Sequence, residues 1–148
     1  MSLNSPRPAV VTKLRHRDAA AFLELPRKLY SCAVTSRATE QALLRAEHPL
    51  STHFEFHPRV IRSGGEPLGR CAVTLPPEGP AYVGLFESVD DAAVAGDLLS
   101  WAVDQARAAG RPALIGPVDA SFWLRYRLKL DHFDRRPYLN EPYNRGYY

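Results

Sequence analysis

The sequence predicts an α/β domain of the α+β kind, with a mixed, largely antiparallel central sheet flanked by helices. Three observations carry that expectation. Between residues 52 and 87, three apolar strand-like segments follow one another with turn chemistry between them. Helix-periodic segments precede and follow that block, and a short apolar stretch after the second helical region supplies a further strand. At 148 residues the chain is long enough to bury a core, and no repeat or low-complexity linker divides it. Residues 10–148 therefore read as one domain behind a flexible start at residues 1–9.

Taken in order, Val10 to Leu14 (VVTKL) reads as a short strand. Asp18 caps the helical stretch AAAFLELPRKLY, in which Phe22, Leu25 and Leu29 share a face and Pro26 is expected to kink or split the helix. A second helix is expected over Thr39 to Glu47, ended by His48-Pro49. Thr52 to Arg62 alternates as a strand broken near Pro58, and Gly64-Gly65 makes a turn into the strand Leu68 to Leu75. After a PPEGP loop, Ala81 to Glu87 reads as a buried third strand. Ser88-Val89-Asp90-Asp91 resembles a capping box that opens the longest helix, with Val94, Leu98 and Trp101 along its apolar stripe. Gly110 supplies a left-handed C-cap and Pro112 prevents continuation. Ala113 to Ile115 is a short buried strand that the crossover rule allows to run parallel to its predecessor. Gly116 to Tyr148 lacks a regular period, yet its aromatic load argues against disorder.

The net charge of +3 hides sixteen Arg against three Lys. The cations are interspersed with Asp and Glu until the tail, which disfavours a nucleic-acid-binding face; such binding through the arginines is the third reading in order of preference. No apolar run is long enough for a membrane span and the first residues lack a signal-peptide centre, so the cytoplasm is the expected location. Cys32 and Cys71 have no zinc-ligand spacing and read as reduced, small apolar residues.

His53, Glu55 and His57 alternate and would share one strand face. They are ligand types for zinc or iron, but successive same-face positions seldom converge tetrahedrally, and a solvated polar face is the favoured reading. The Glu87 to Asp91 junction carries three carboxylates and no glycine, which suits a helix cap better than a phosphate site. In the tail, Trp123, Arg125, Tyr126 and Asn144 belong to a polar set on an aromatic-proline framework, the composition of a loop that lines a small-molecule substrate site. A segment that merely wraps the core is the alternative.

The segments GLFES-VDD (Gly84 to Asp91), GPVDASFW (Gly116 to Trp123), Tyr126-Arg127 and EPYNRGYY (Glu141 to Tyr148), with PRKLY (Pro26 to Tyr30), resemble a group of bacterial proteins in the GNAT superfamily of N-acetyltransferases. The resemblance runs over most of the chain and implies an acyl-CoA N-acyltransferase-like fold. It also implies transfer of an acyl group from acetyl-CoA to an unidentified amine by direct attack in a ternary complex. The strand before the long helix would contact pantetheine and the helix-opening loop the pyrophosphate, which makes Leu85, Phe86, Glu87, Ser88, Val89 and Asp90 the cofactor-binding residues. Tyr143, Tyr147 or Tyr148 would be the acid that protonates the thiolate, and Glu87 or Glu141 the base for the amine.

Two departures qualify the resemblance. Such enzymes typically carry Arg/Gln-x-x-Gly-x-Gly/Ala at the pyrophosphate loop, where this chain has Glu87-Ser88-Val89-Asp90-Asp91-Ala92. They also continue past the EPYNRGYY-like segment into a helix and a strand pair. The expectation is thus a fold incomplete at its C-terminus, or one completed by a homodimer across the sheet edge. The alternative function is a non-catalytic GNAT-like binding or interaction module that has lost the pyrophosphate loop.

Overall fold

The antiparallel meander expected between residues 52 and 87 is the centre of the molecule. A computed structural model describes residues 9–30, 37–135 and 144–148. Along the chain run β1 (Val10–Val11), α1 (His16–Leu29), α2 (Arg37–Leu44), a 3-10 turn (Pro49–His53), β2 (Glu55–Ser63), β3 (Glu66–Leu75) and β4 (Ala81–Ser88). They are followed by α3 (Ala92–Ala108), β5 (Leu114–Ile115), β6 (Val118–Asp119) and β7 (Arg125–Tyr126). Five strands form one mixed sheet in the order β1-β2-β3-β4-β5, with the outer pairs parallel and the inner pairs antiparallel. β6 and β7 make a separate antiparallel pair.

Each face of the sheet buries its own apolar cluster, as period-two alternation requires. Cys71, Val73, Leu75, Ala81 and Val83 pack against Leu98, Ala102 and Ala106 of α3. On the other face, Phe54, Phe56, Ala72 and Leu85 pack with Phe22 of α1, Leu43 of α2 and Ala120 beyond β6. α3 ends as its sequence predicts. Gly110 stands at φ +65, its N–H bonds the Arg107 carbonyl, and Arg111 N–H reaches back to Ala106.

Several boundaries differ from the sequence expectation. Helix α1 starts at His16, without a side-chain cap, and Asp18 in its first turn bonds Arg62 instead. Pro26 does not split α1, which runs unbroken through Leu29. A proline at 26 frees the carbonyl of Phe22. That carbonyl accepts from Arg70 Nη1 at 2.6 Å, so a side chain from β3 replaces the missing backbone donor. Pro58 likewise does not break β2: it pairs with Ala72 of β3, and on the other edge β1 has ended at Val11, so no strand there needs its missing N–H. His53 lies in the 3-10 turn, so the alternating His-Glu-His face is split; His57 instead meets Thr12 at 2.7 Å and Glu55 at 3.4 Å. The cap of α3 is Asp91, not Ser88, which remains in β4. The tail is not wholly irregular, since it contains the β6–β7 pair.

Arg70 is completely buried, and its guanidinium forks onto Glu40 of α2 with Nη1–Oε2 at 2.7 Å and Nη2–Oε1 at 3.1 Å. It also lies over the Phe22 ring, 4.6 Å from the centroid. Neither charge is tolerable alone at that depth. Glu40→Ala should therefore destabilise the fold by about 3–5 kcal/mol in urea denaturation, the usual cost of stranding one half of a buried pair. A loss below about 1 kcal/mol, as for exposed pairs, would show that the pair is not buried as described.

Candidate functional site

The site arises where β4 and β5 part company. They pair only at Ala81–Leu114 and Tyr82–Ile115, while β4 runs on to Ser88. Within that extension the β3–β4 register shifts, so that Leu85 and Phe86 together oppose Cys71 between the pairs Arg70–Glu87 and Ala72–Gly84. Leu85 sits at φ +49, a left-handed conformation that costs a branched side chain on the order of 1–3 kcal/mol. Its N–H donates to Asp119 Oδ1 at 2.6 Å, and Asp119 Oδ2 accepts from Arg125 Nε at 2.5 Å. Beside it, a Cβ on Gly84 would stand 2.0 Å from the Val118 carbonyl oxygen, so only glycine lets β6 come this close. The bulge changes which way β4 faces. Leu85 joins the α1/α2 core, Phe86 packs toward α3, and Glu87 meets Tyr30 at the end of α1.

On the α3 side the divergence leaves a cavity of about 550 Å³. Val83, Phe86, Leu99, Val103 and Leu114 supply apolar wall; Tyr147 and Tyr148 line it beside Ser88, and Asp90 and Asp91 are its charged lining residues among those described. A second, water-sized pocket of about 30 Å³ lies against Glu87, Asp119, Arg125, Tyr126, Asn144 and Tyr148. Tyr148 borders both spaces.

Hydrogen bonds tie the two spaces together. Tyr30 and Tyr148 both donate to Glu87 Oε2, at 2.8 and 2.9 Å. Ser88 N–H donates to Tyr148 Oη at 2.9 Å, and Tyr147 Oη donates to the Ser88 carbonyl at 2.9 Å. Burial raises the Glu87 carboxyl above its ordinary range, against the nearby Arg70 charge and the two phenols, which favour the anion. Burial, reinforced by the Glu87 charge, also pushes the Tyr30 and Tyr148 phenols upward. Cys71 is buried among apolar side chains, its thiol pushed up to about 12, which suits packing and not nucleophilic attack.

At the start of α3, Asp91 accepts from Ala93 N at 2.8 Å and Val94 N at 3.4 Å. A dianionic diphosphate would meet an internal carboxylate where it needs free donors, and no lysine or arginine lines the cavity among the described residues. Two unit charges of like sign about 4–6 Å apart repel by roughly 3–4 kcal/mol at an effective dielectric of about 20. The apolar interior fits an acyl arm; the mouth does not fit a nucleotide diphosphate.

Of the residues expected to hold the cofactor, Phe86, Ser88, Val89 and Asp90 line the large cavity, whereas Leu85 packs into the opposite core and Glu87 borders the small pocket. Of the expected substrate residues, Arg125, Tyr126 and Asn144 border the small pocket. Trp123 does not; it is 89% exposed in the turn between β6 and β7. Asn144 is oriented by Lys129, whose N–H donates to Oδ1 at 2.7 Å and whose carbonyl accepts from Nδ2 at 3.1 Å. Tyr147 lines the large cavity. Tyr143 and Glu141, like Cys32, lie outside the described residues. Sequence reasoning does not single out Tyr30 or Arg70 as site residues; a polar residue inside an apolar strand (LGRCAVTL) is the available signal for Arg70. Among the described residues no cluster of His, Cys, Asp and Glu could hold a metal, and no helix is long and apolar enough to cross a membrane.

The chain matches no family model, no curated protein and no solved structure, so its site is read from its own geometry.

Because the folded state raises the Glu87 pKa, it holds that proton to higher pH than the unfolded chain does. The contribution to stability is fully present below the unfolded pKa and is lost as pH rises through the folded one. Glu87→Gln removes this dependence. Its melting temperature should gain on that of the native protein as pH rises from the ordinary carboxylate range towards neutrality. A constant difference across that range would mean that burial does not raise the carboxyl.

Proposed function

We propose that this protein is an acyltransferase-like domain, of the acyl-CoA N-acyltransferase architecture, that moves an acyl group from a thioester to an amine. The observation that carries this reading is Tyr148 bordering two spaces, one apolar and arm-sized, the other the size of an amino group and edged by Glu87, Asp119 and Arg125. Direct transfer needs the amine nitrogen within about 3–3.5 Å of the thioester carbon, with a proton-handling group in reach of both, and the two spaces adjoin along Phe86, Pro117, Leu128 and Tyr148. The order of elements through β5 agrees with the architecture that the sequence resemblance implies.

A bound thioester supplies a polarised carbonyl carbon. The chain's own contribution is to position it and to manage one proton. Val83, Phe86, Leu99 and Val103 exclude water from the acyl arm. Glu87 Oε2 takes the proton that the attacking amine loses, and burial keeps its affinity for a proton high enough for that task. Tyr148 Oη gives its proton to the departing sulfur and is refilled from Glu87 across their 2.9 Å hydrogen bond. One proton passes from nitrogen to sulfur, and both side chains return to their starting state. Tyr30 holds the shared Oε2 from the other side at 2.8 Å.

The acid-capped start of α3 favours a second reading, a non-catalytic GNAT-like binding module that keeps the cavity without the transfer step. Thiol release from acetyl thioesters in the presence of primary amines separates the two. Tyr148→Phe should lower the turnover rate by about 10²–10⁴-fold with thioester affinity little changed. Binding without release supports the module, and absence of binding at about 1 mM thioester removes both readings.

A further inference from the structure

We infer that the cavity recognises its donor as a short uncharged thioester, of acyl-pantetheine type, and that a nucleotide diphosphate adds nothing to its affinity. The inference rests on the thioester reading above and names the part of the donor that the site can hold.

It follows from a count of the backbone donors around the turn from β4 into α3. Ser88 N–H goes to Tyr148 Oη, Val89 N–H to the Leu68 carbonyl and Asp91 N–H to the Val89 carbonyl. Ala93 and Val94 donate to the Asp91 carboxylate, and Ala95 N–H to the Asp91 carbonyl. Among residues 88–95 only the N–H groups of Asp90 and Ala92 are left without an acceptor among the described residues. A diphosphate is held by several convergent N–H groups or by cations. Here the convergent pair at the helix start is already satisfied by a carboxylate of this chain.

Charge points the same way. Among the described residues, the lining side chains that carry charge are Asp90 and Asp91, both acidic. The volume of about 550 Å³ is within the range of small-molecule sites, roughly 300–1,000 Å³. Its apolar wall matches the aliphatic and thioester part of a donor, while its polar handles beyond the acids, among the described residues, are Ser88 and the two tyrosine hydroxyls. These are groups that suit the neutral amides of a pantetheine arm.

The test is calorimetric binding of acetyl-pantetheine and acetyl-CoA to the full chain, at about 0.05 M and about 0.5 M salt. Acetyl-pantetheine should bind at least as tightly as acetyl-CoA at low salt. Raising the salt should strengthen acetyl-CoA alone by several-fold, because screening relieves only the charged ligand. The Asp90→Asn/Asp91→Asn variant, which keeps a capping side chain at position 91, should do the same at low salt. Acetyl-CoA binding more than about tenfold tighter than acetyl-pantetheine would overturn the inference and leave the thioester reading standing. Binding by neither ligand overturns the thioester reading itself, and the inference with it.

Discussion

Asp119 accepts two donors that the rest of the site depends on, the Leu85 N–H and the Arg125 guanidinium. The first bond stabilises a left-handed leucine in the middle of a sheet. The strain there is on the order of 1–3 kcal/mol, and a buried hydrogen bond to a charged acceptor contributes about 1.5–3 kcal/mol, so the two nearly offset. That bond forms only because β6 approaches β4 closely, and the approach is possible only at Gly84. Gly84, Asp119 and Leu85 therefore act as one device. It reverses the facing of β4 beyond residue 84, sends Phe86 and Ser88 toward the large cavity and turns Glu87 toward Tyr30 and Tyr148.

The second half of the molecule's polar interior serves the same geometry from below. Arg70, opposite Glu87 in the β3–β4 ladder, is neutralised by Glu40 and also completes the proline-interrupted turn of α1 at Phe22. Helix α1 is thus held at a fixed distance from β3, and its end presents Tyr30 to Glu87. Three carboxylates (Glu40, Glu87 and Asp119), two arginines (Arg70 and Arg125) and two phenols (Tyr30 and Tyr148) form a layer in which each group limits the freedom of the next. Such a layer specifies a unique arrangement more than it adds stability, since each of its charges has been taken out of water.

Much of the frame was legible in the sequence because it is set by local patterns. Alternation marked β2, β3 and β4, the Val94–Leu98–Trp101 stripe marked α3, and Gly110 marked its end. What the sequence hid are features produced by distant segments. Pro26 signals a break until Arg70 arrives from β3 to replace the lost donor. Leu85 looks like an ordinary strand residue until Asp119 captures its N–H; the glycine next to it, inside an apolar strand, was the local sign of a close backbone approach. Ser88 resembles a capping residue, but the bulge consumes one residue of β4 and moves the cap to Asp91. In the tail, composition singled out Arg125, Tyr126 and Asn144, which do gather beside Glu87. It also singled out Trp123, which the β6–β7 turn carries into solvent, because aromatic character alone says nothing about direction.

The central physical claim is that Asp119 pins the bulge, and amide hydrogen exchange at Leu85 measures that most directly. In the native protein Leu85 should be protected to a degree comparable with Val73, a fully buried residue of β3. In Asp119→Ala its exchange should accelerate by about 10–100-fold relative to Val73, the factor that corresponds to losing a charge-assisted hydrogen bond. Leu85 protection that is unchanged by removing the carboxylate would contradict the claim, and with it the separation of the two spaces around Tyr148.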